Sequence, residues 1–157
     1  MYRRYVIVGI VFFLLVGAYF AFFYDKETSK EYEEYYERLV ECENYEDHLK
    51  GVKVSIDEVE EENRYSYIIT FDNVSIKQND VKILVVGDRN NRDYYPSFGI
   101  IDNKGYSLVN GEVSSEFEKK GVNLAIVDQN KIETLLIYYS SNNLEQFVKI
   151  NVSDYLS

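Results

Sequence analysis

Hydrophobic and polar residues change their spacing twice along the chain, and the first change follows an unbroken apolar stretch. Residues 5–24 read YVIVGIVFFLLVGAYFAFFY and contain no charged side chain. At about 1.5 Å of rise per residue, about twenty helical residues span roughly 30 Å, the hydrocarbon thickness of a bilayer. A helix also satisfies every backbone polar group within lipid. The stretch therefore predicts a transmembrane helix. A buried helix of a soluble core is the weaker alternative, because the stretch is apolar on all sides.

Charges on either side of this stretch predict its orientation. Arg3 and Arg4 precede it, whereas the ten residues after it, DKETSKEYEE, are mostly acidic. The positive-inside rule places residues 1–4 in the cytoplasm and residues 25–157 across the membrane. A cleaved signal peptide is the competing interpretation, but large aromatic residues occupy the positions where a signal peptidase requires small ones. We therefore expect an uncleaved, single-pass signal anchor in the cell membrane.

Three- and four-residue spacing between residues 25 and 51 predicts a juxtamembrane amphipathic helix. Thr28 and Glu31 have the spacing of a capping box, and Gly51 is a natural helix stop. One face of this helix collects Tyr32, Tyr35, Leu39, Cys42 and Leu49. We expect the helix to pack against the following domain or to stand as a stalk. The alternative is a short coiled-coil seam along the same face, through which two copies of the chain would self-associate.

From Val52 onward, apolar residues alternate with polar ones. This alternation predicts two strands at 52–56 and 65–71, separated by a turn in the acidic run 58–63. Residues 81–86 (VKILVV) read as a central strand, and residues 102–105 (DNKG) as a tight hairpin turn. Further short strands are expected at 74–76, 98–101, 106–109, 113–118, 122–127, 132–139 and 147–152. The pattern predicts a mainly β domain over residues 52–157, an antiparallel immunoglobulin-like β-sandwich, with an up-and-down barrel as the alternative.

A stretch in the middle of this domain resembles a known family. Residues 97–106 (SFGIIDNKGY), followed by Gly111 and residues 121–124 (GVNL), are similar to the middle of the telokin-like family. The resemblance implies an exported, immunoglobulin-like bacterial domain, commonly tethered by a lipid or by a single helix. It implies no catalytic residues.

Charge and cysteine content narrow the classes of function. The chain carries a net charge of −10, made up of +2 before residue 25, −6 over residues 25–50 and −6 over residues 51–157. A domain this acidic repels polyanions, so nucleic acid is not an expected partner. The single cysteine, Cys42, leaves no intramolecular disulfide to form. The 16 tyrosines and 9 phenylalanines favour a β-rich domain.

The sequence offers few groups for catalysis or metal binding. A nucleophilic triad or dyad would need His48 or Cys42, and both lie in the predicted helix. Lys119 and Lys120 lie in a charged turn, where we expect no desolvation that would lower a lysine pKa. Zinc ligand sets and phosphate-binding glycine motifs are missing from the sequence. We therefore expect neither an enzyme nor a cofactor or resident metal.

The loop at residues 88–95 (DRNNRDYY) is the most suggestive binding segment. Its candidate binding residues are Arg89, Arg92, Asp93, Tyr94 and Tyr95. Arginine and tyrosine are enriched at binding hot spots, so we expect the loop to contact an envelope protein partner. One alternative is a solvated loop with internal Asp–Arg pairs, and another is a small-ligand or calcium site that uses Asp88, Asn90 and Asp93. The sequence thus predicts a non-catalytic accessory module of a cell-envelope assembly, with a cell-wall or peptide hydrolase as a more remote alternative.

Overall fold

The computed structural model describes residues 11, 14–15, 30–87, 95–142 and 144–157. Most of the predicted transmembrane segment 5–24 lies outside the described residues. Val11, Leu14 and Leu15 are described, and they are helical and at least half exposed. The described residues contain no helix that is both long enough and apolar enough to cross a membrane.

Apart from residues 11, 14 and 15, the described residues form one helical segment at 30–40, nine strands and a short terminal 3₁₀ helix. The strands are β1 (Lys53–Glu61), β2 (Arg64–Asp72), β3 (Lys82–Gly87), β4 (Ser97–Phe98), β5 (Ser107–Leu108), β6 (Glu118–Lys119), β7 (Val122–Asp128), β8 (Thr134–Ser141) and β9 (Leu144–Asn151), and the 3₁₀ helix spans Val152–Asp154. Each of the six longest strands overlaps a stretch in which alternation or a continuous apolar run predicts a strand.

The long strands assemble into two antiparallel sheets. Strand order is β1-β2-β7 in the three-stranded sheet and β4-β3-β8-β9 in the four-stranded sheet. Two-residue strands β5 and β6 form a separate parallel pair. The prediction of a mainly β domain with antiparallel sheets is confirmed.

One apolar core receives side chains from both large sheets. The three-stranded sheet contributes every second residue, for example Ile69 of β2 and Leu124 of β7, and the four-stranded sheet contributes Ile83 of β3 and Ile137 of β8. This alternation is what a sheet with one buried face requires. Phe71 and Tyr139 stack across the core with ring centroids 6.3 Å apart. The Tyr139 hydroxyl donates to the buried Gln78 side chain, which in turn donates to the carbonyl of Gly51 at 2.7 Å, so these two buried polar side chains are paired.

The four-stranded sheet is buried on its outer face as well, because the helical segment 30–40 packs across it. Five of the six residues of β3 are buried, whereas β7 alternates between buried and exposed residues. A second apolar cluster joins Tyr32 and Leu39 of the helix to Leu84, Val86, Ile100 and Tyr138. Fully burying a leucine side chain contributes about 1.5–3 kcal/mol. Of the two placements predicted for the helix, packing against the domain is the one observed.

The helix ends at residue 40 and not at Gly51, so the predicted helix end is wrong. The Tyr45 hydroxyl donates to the carbonyl of Leu39 at 2.6 Å and so satisfies one of the helix's last acceptors. Beyond the helix the chain runs beside β9, where the Glu46 N–H donates to the Phe147 carbonyl at 2.8 Å. The backbone bonds offered by this strand edge replace those of a longer helix.

Four local predictions in the domain are also wrong. The acidic residues 58–61 continue β1 as a strand, and the turn is confined to residues 62–63. The predicted 102–105 hairpin does not form, because β4 pairs with β3 and β5 pairs with β6. Asn103 and Gly105 do have the positive φ values of a turn, at 46° and 67°. The strands predicted at 74–76 and over most of 113–118 are irregular loops.

Candidate functional site

The start of the helix is joined to the end of the predicted binding loop. Tyr95 is the single candidate loop residue that the structure describes, since Arg89, Arg92, Asp93 and Tyr94 lie outside the described residues, as do Asp88 and Asn90. The Tyr95 backbone N–H donates to the Tyr32 hydroxyl at 2.8 Å. The Tyr95 ring is partly buried and stacks on Tyr36, with centroids 6.4 Å apart and planes 8° from parallel. Tyr95 therefore connects the loop to the helix.

Burial of Tyr32 makes this junction a packed one. Its side chain is 4% exposed, and burial, which disfavours the phenolate, raises its pKa to about 12. The hydrogen bond from Tyr95 acts in the opposite direction, but it is the weaker influence. Tyr32 therefore stays protonated at neutral pH, and its hydroxyl accepts the backbone bond without a buried charge. The contact between Tyr32 and Tyr95 is therefore structural: it holds the end of the loop on the helix.

An ion pair joins the last turns of the helix to β9. Arg38 Nη2 lies 2.5 Å from Glu145 Oε2, and the Tyr138 hydroxyl donates to Glu145 Oε1 at 2.8 Å. The guanidinium carbon lies 5.7–5.8 Å from the ring centroids of Tyr35, Tyr138 and Phe147. The bond from Arg38 lowers the pKa of Glu145 below its usual value. We call this group the Arg38–Glu145 clamp.

A shallow polar groove of about 350 Å³ runs beside the clamp. Its walls include Tyr35, Asp80, Lys82 and Glu145, and the Lys82 ammonium lies 5.9 Å from the Tyr35 ring centroid. Charges of both signs line the groove, so it offers no single-charge preference to a ligand. Solvent reaches the clamp from this side, since the Arg38 and Glu145 side chains are 39% and 38% exposed. Screening by this solvent limits what the ion pair contributes to stability.

The outer face of the three-stranded sheet, which we call the open face, is not covered by any helix or strand among the described residues, although the Ser157 hydroxyl donates to Asp57 at its β1 edge. It presents thirteen side chains: Lys53, Ser55, Asp57, Val59, Glu61, Arg64, Ser66, Ile68, Thr70, Asp72, Asn123, Ala125 and Val127. The nine that lie between the end pairs Lys53–Asp72 and Glu61–Arg64 form the centre of this face. Of these, Val59, Ile68 and Val127 are 51%, 41% and 60% exposed. Asp57 is the one charged residue among the nine at the centre, and the four charged side chains of the end pairs lie at the two ends of the face. The open face thus has a nearly uncharged centre between two charged ends.

The remaining residues singled out from the sequence lie apart from these features. Lys119 and Lys120 are exposed, as expected, but Lys119 lies in strand β6 and not in a turn. His48 is exposed, and its Nδ1 lies 2.5 Å from an Asp47 carboxylate oxygen. Cys42 is partly buried, with its Sγ 3.4 Å from the Asn44 carbonyl. The described residues hold no group of three His, Cys, Asp or Glu side chains placed to bind a metal.

Sequence reasoning missed both the clamp and the open face. Arg38 and Glu145 are 107 residues apart, and nothing local in the sequence pairs them. A signal for the open face did exist in β7, where outward positions that usually carry charge read Asn123, Ala125 and Val127. The chain matches no protein-family model, no curated protein and no solved structure.

Proposed function

We propose that this chain is a single-pass, membrane-anchored extracytoplasmic protein and that its domain is a non-catalytic protein-interaction module of a cell-envelope assembly. The anchor at residues 5–24 and the orientation with Arg3 and Arg4 in the cytoplasm come from the sequence pattern. The proposed partner is an envelope protein. The proposal assigns the chain no cofactor and no nucleic-acid partner.

We infer further that the domain is an immunoglobulin-like β-sandwich. In immunoglobulin domains, strands A, B and E belong to one sheet and strands C, F and G to the other. The orders β1-β2-β7 and β4-β3-β8-β9 fit that plan, with β3, β8 and β9 in the positions of C, F and G and β4 added beside C. The connections β2–β3 and β7–β8 pass between sheets, as B–C and E–F do. Stacking of Phe71 on Tyr139 links strands B and F, where antibody domains have their disulfide.

The observation that carries the interaction role is the difference between the two outer faces of the domain. One face is covered by the chain's own helix, whereas the open face is exposed and its centre is nearly uncharged. Depletion of charge distinguishes the centres of protein interfaces from ordinary surface. The perturbed pKa values among the described residues have structural causes. They belong chiefly to tyrosines in packing contacts and to carboxylates in surface ion pairs, as for Tyr139 and Glu118.

The test is crosslinking of the full-length chain in its native membrane, followed by mass spectrometry of the attached proteins. The structure changes the design of loop variants, because Tyr95→Ala would also disturb helix packing. The sharper variant is Arg89→Ala with Arg92→Ala. Lys104→Ala is the control, since it removes an exposed positive charge from a loop that is not part of the open face.

We expect a reproducible foreign protein in the crosslinked fraction. The double variant should lose most of that recovery, because arginine contributes strongly at interfaces, and the control should keep it. Recovery that survives the double variant would exclude the loop as the contact. Absence of any foreign protein from the wild-type sample would overturn the accessory role itself.

A further inference from the structure

Three of the four outer strand edges of the two large sheets are covered or short. At the β1 edge, the Ile56 N–H donates to the Tyr155 carbonyl at 2.9 Å, and the chain's last residue bonds back to Ile56. At the β9 edge, Glu46 accepts from Lys149 at 3.0 Å. Strand β4 is only two residues long. Proteins use covering segments and short strands of this kind to prevent edge-to-edge pairing.

Among the described residues, the β7 edge has none of these protections. It is seven residues long, and within the described part of the chain its backbone bonds go to β2 alone. Alternate residues of an antiparallel edge strand direct their N–H and C=O groups away from their neighbour. Residues 122–127 (VNLAIV) include no charge and no proline, the usual devices that block an exposed edge. The edge also borders the open face through Ala125 and Val127.

We propose that β7 pairs antiparallel with β7 of a second copy of this chain, which joins two three-stranded sheets into one of six strands. The charges at the two ends of β7 favour a second copy of this chain as the pairing partner. Lys119 and Lys120 precede β7, and Asp128 ends it. A pairing centred on Leu124 sets Lys120 opposite Asp128 of the second copy, and two-fold symmetry repeats the contact. Parallel pairing would instead bring like charges together.

The placement of the helix is compatible with such a pair. The two-fold axis of an antiparallel edge pair is perpendicular to the sheet, so the four-stranded sheets and helices of both copies lie on the same side. Strand β4 lies alongside β7, and Tyr32 at the helix start contacts Tyr95 just before β4. Both helix starts therefore lie near the axis, where two anchors can enter one bilayer. This step alone rests on the proposed membrane anchor, and the pairing requires no foreign partner.

Disulfide trapping in membranes tests the register. One full-length chain carries Asn123→Cys and a co-expressed chain carries Ala125→Cys, both in a Cys42→Ser background. In the proposed register these positions face each other, with Cβ atoms about 5 Å apart. Mild oxidation should then give a covalent dimer. The matched control is Ser55→Cys in both chains, which lies on the same face of the sheet but on the covered β1 edge. An equal yield of dimer from the control, or no dimer from the test pair, overturns the proposal.

Charge exchange tests the end contacts separately from folding. In the trapping background, Lys120→Glu alone and Asp128→Lys alone each place like charges at both ends of the pair. Each should reduce the trapped fraction by about tenfold. The two changes together restore opposite charges and should restore trapping. A variant that merely misfolds would not be rescued by a second substitution. Failure of the double variant to recover excludes this pairing geometry.

Discussion

The two outer faces of the domain carry similar numbers of apolar side chains, but only one of them is covered. On the four-stranded sheet, Leu84, Val86 and Tyr138 are at most 2% exposed, because the helix lies over them. On the three-stranded sheet, Ile68 and Val127 are 41% and 60% exposed. The covered face is a second core that stabilises the fold, whereas the open face contributes little to stability and is available for contacts. The helical segment 30–40, which precedes the strands, is therefore part of the structure of the domain.

Among the substitutions that test this difference between the two faces, removal of an apolar side chain from the helix should lower stability most. Leu39→Ala deletes a side chain that is 0% exposed, and it should lower the free energy of unfolding by about 2–5 kcal/mol. Ile68→Ala removes an apolar side chain of the open face, and it should change the same quantity by about 0.5 kcal/mol or less. Urea unfolding of the full-length chain in detergent, followed by near-ultraviolet circular dichroism, measures both. Equal losses of unfolding free energy in the two variants would contradict the proposed difference between the covered face and the open face.

Breaking the Arg38–Glu145 clamp should lower the free energy of unfolding by a smaller amount. Since both side chains are more than a third exposed, solvent screening limits the coupling between them to about 1 kcal/mol, as for well-placed surface pairs. A double-mutant cycle with Arg38→Ala and Glu145→Ala isolates this coupling. Arg38→Ala alone should cost somewhat more, because its side chain also packs against three aromatic rings. Strict additivity of the two substitutions would show that the pair is not coupled.

Acidification should weaken the same clamp. The pKa of Glu145 is lowered in the folded chain, first by its bond from Arg38. A lowered carboxylate pKa adds stability that is fully present above the unfolded pKa of about 4.3 and is lost as the pH falls through the folded value. The stability difference between wild type and Glu145→Gln should therefore shrink between about pH 6 and about pH 3. A difference that does not vary with pH would contradict an ionised Glu145 in the clamp.

Local patterns in the sequence predict most of the strands but not what covers them. Alternation along residues 65–71 identifies β2, since each side chain's choice of face is already visible in its neighbours. The hairpin at 102–105 is wrong although Asn103 and Gly105 adopt turn geometry, because strand partners are chosen by distant residues. The helix end is wrong for a similar reason, as Tyr45 and the β9 edge provide bonds that the helix sequence does not reveal.

The candidate site was predictable only in part. Arginine and tyrosine content singles out the loop at 88–95, and its last residue, Tyr95, does make specific contacts. Those contacts are with the chain's own helix, and a single sequence carries no information on a pairing across 63 residues. Absence of charge along β7 was visible in the sequence, but its meaning depends on which strand edges are covered, and that is a property of the assembled sheets.

The contact between Tyr32 and Tyr95 also limits how far the domain can reach. With the anchor at residues 5–24 as proposed, seven residues separate the membrane-spanning segment from the packed Tyr32. A chain of that length spans at most about 25 Å, even when fully extended. The domain would thus be held within a thin layer next to the bilayer. Its partners would have to enter that layer, because the domain could not extend outward to meet them.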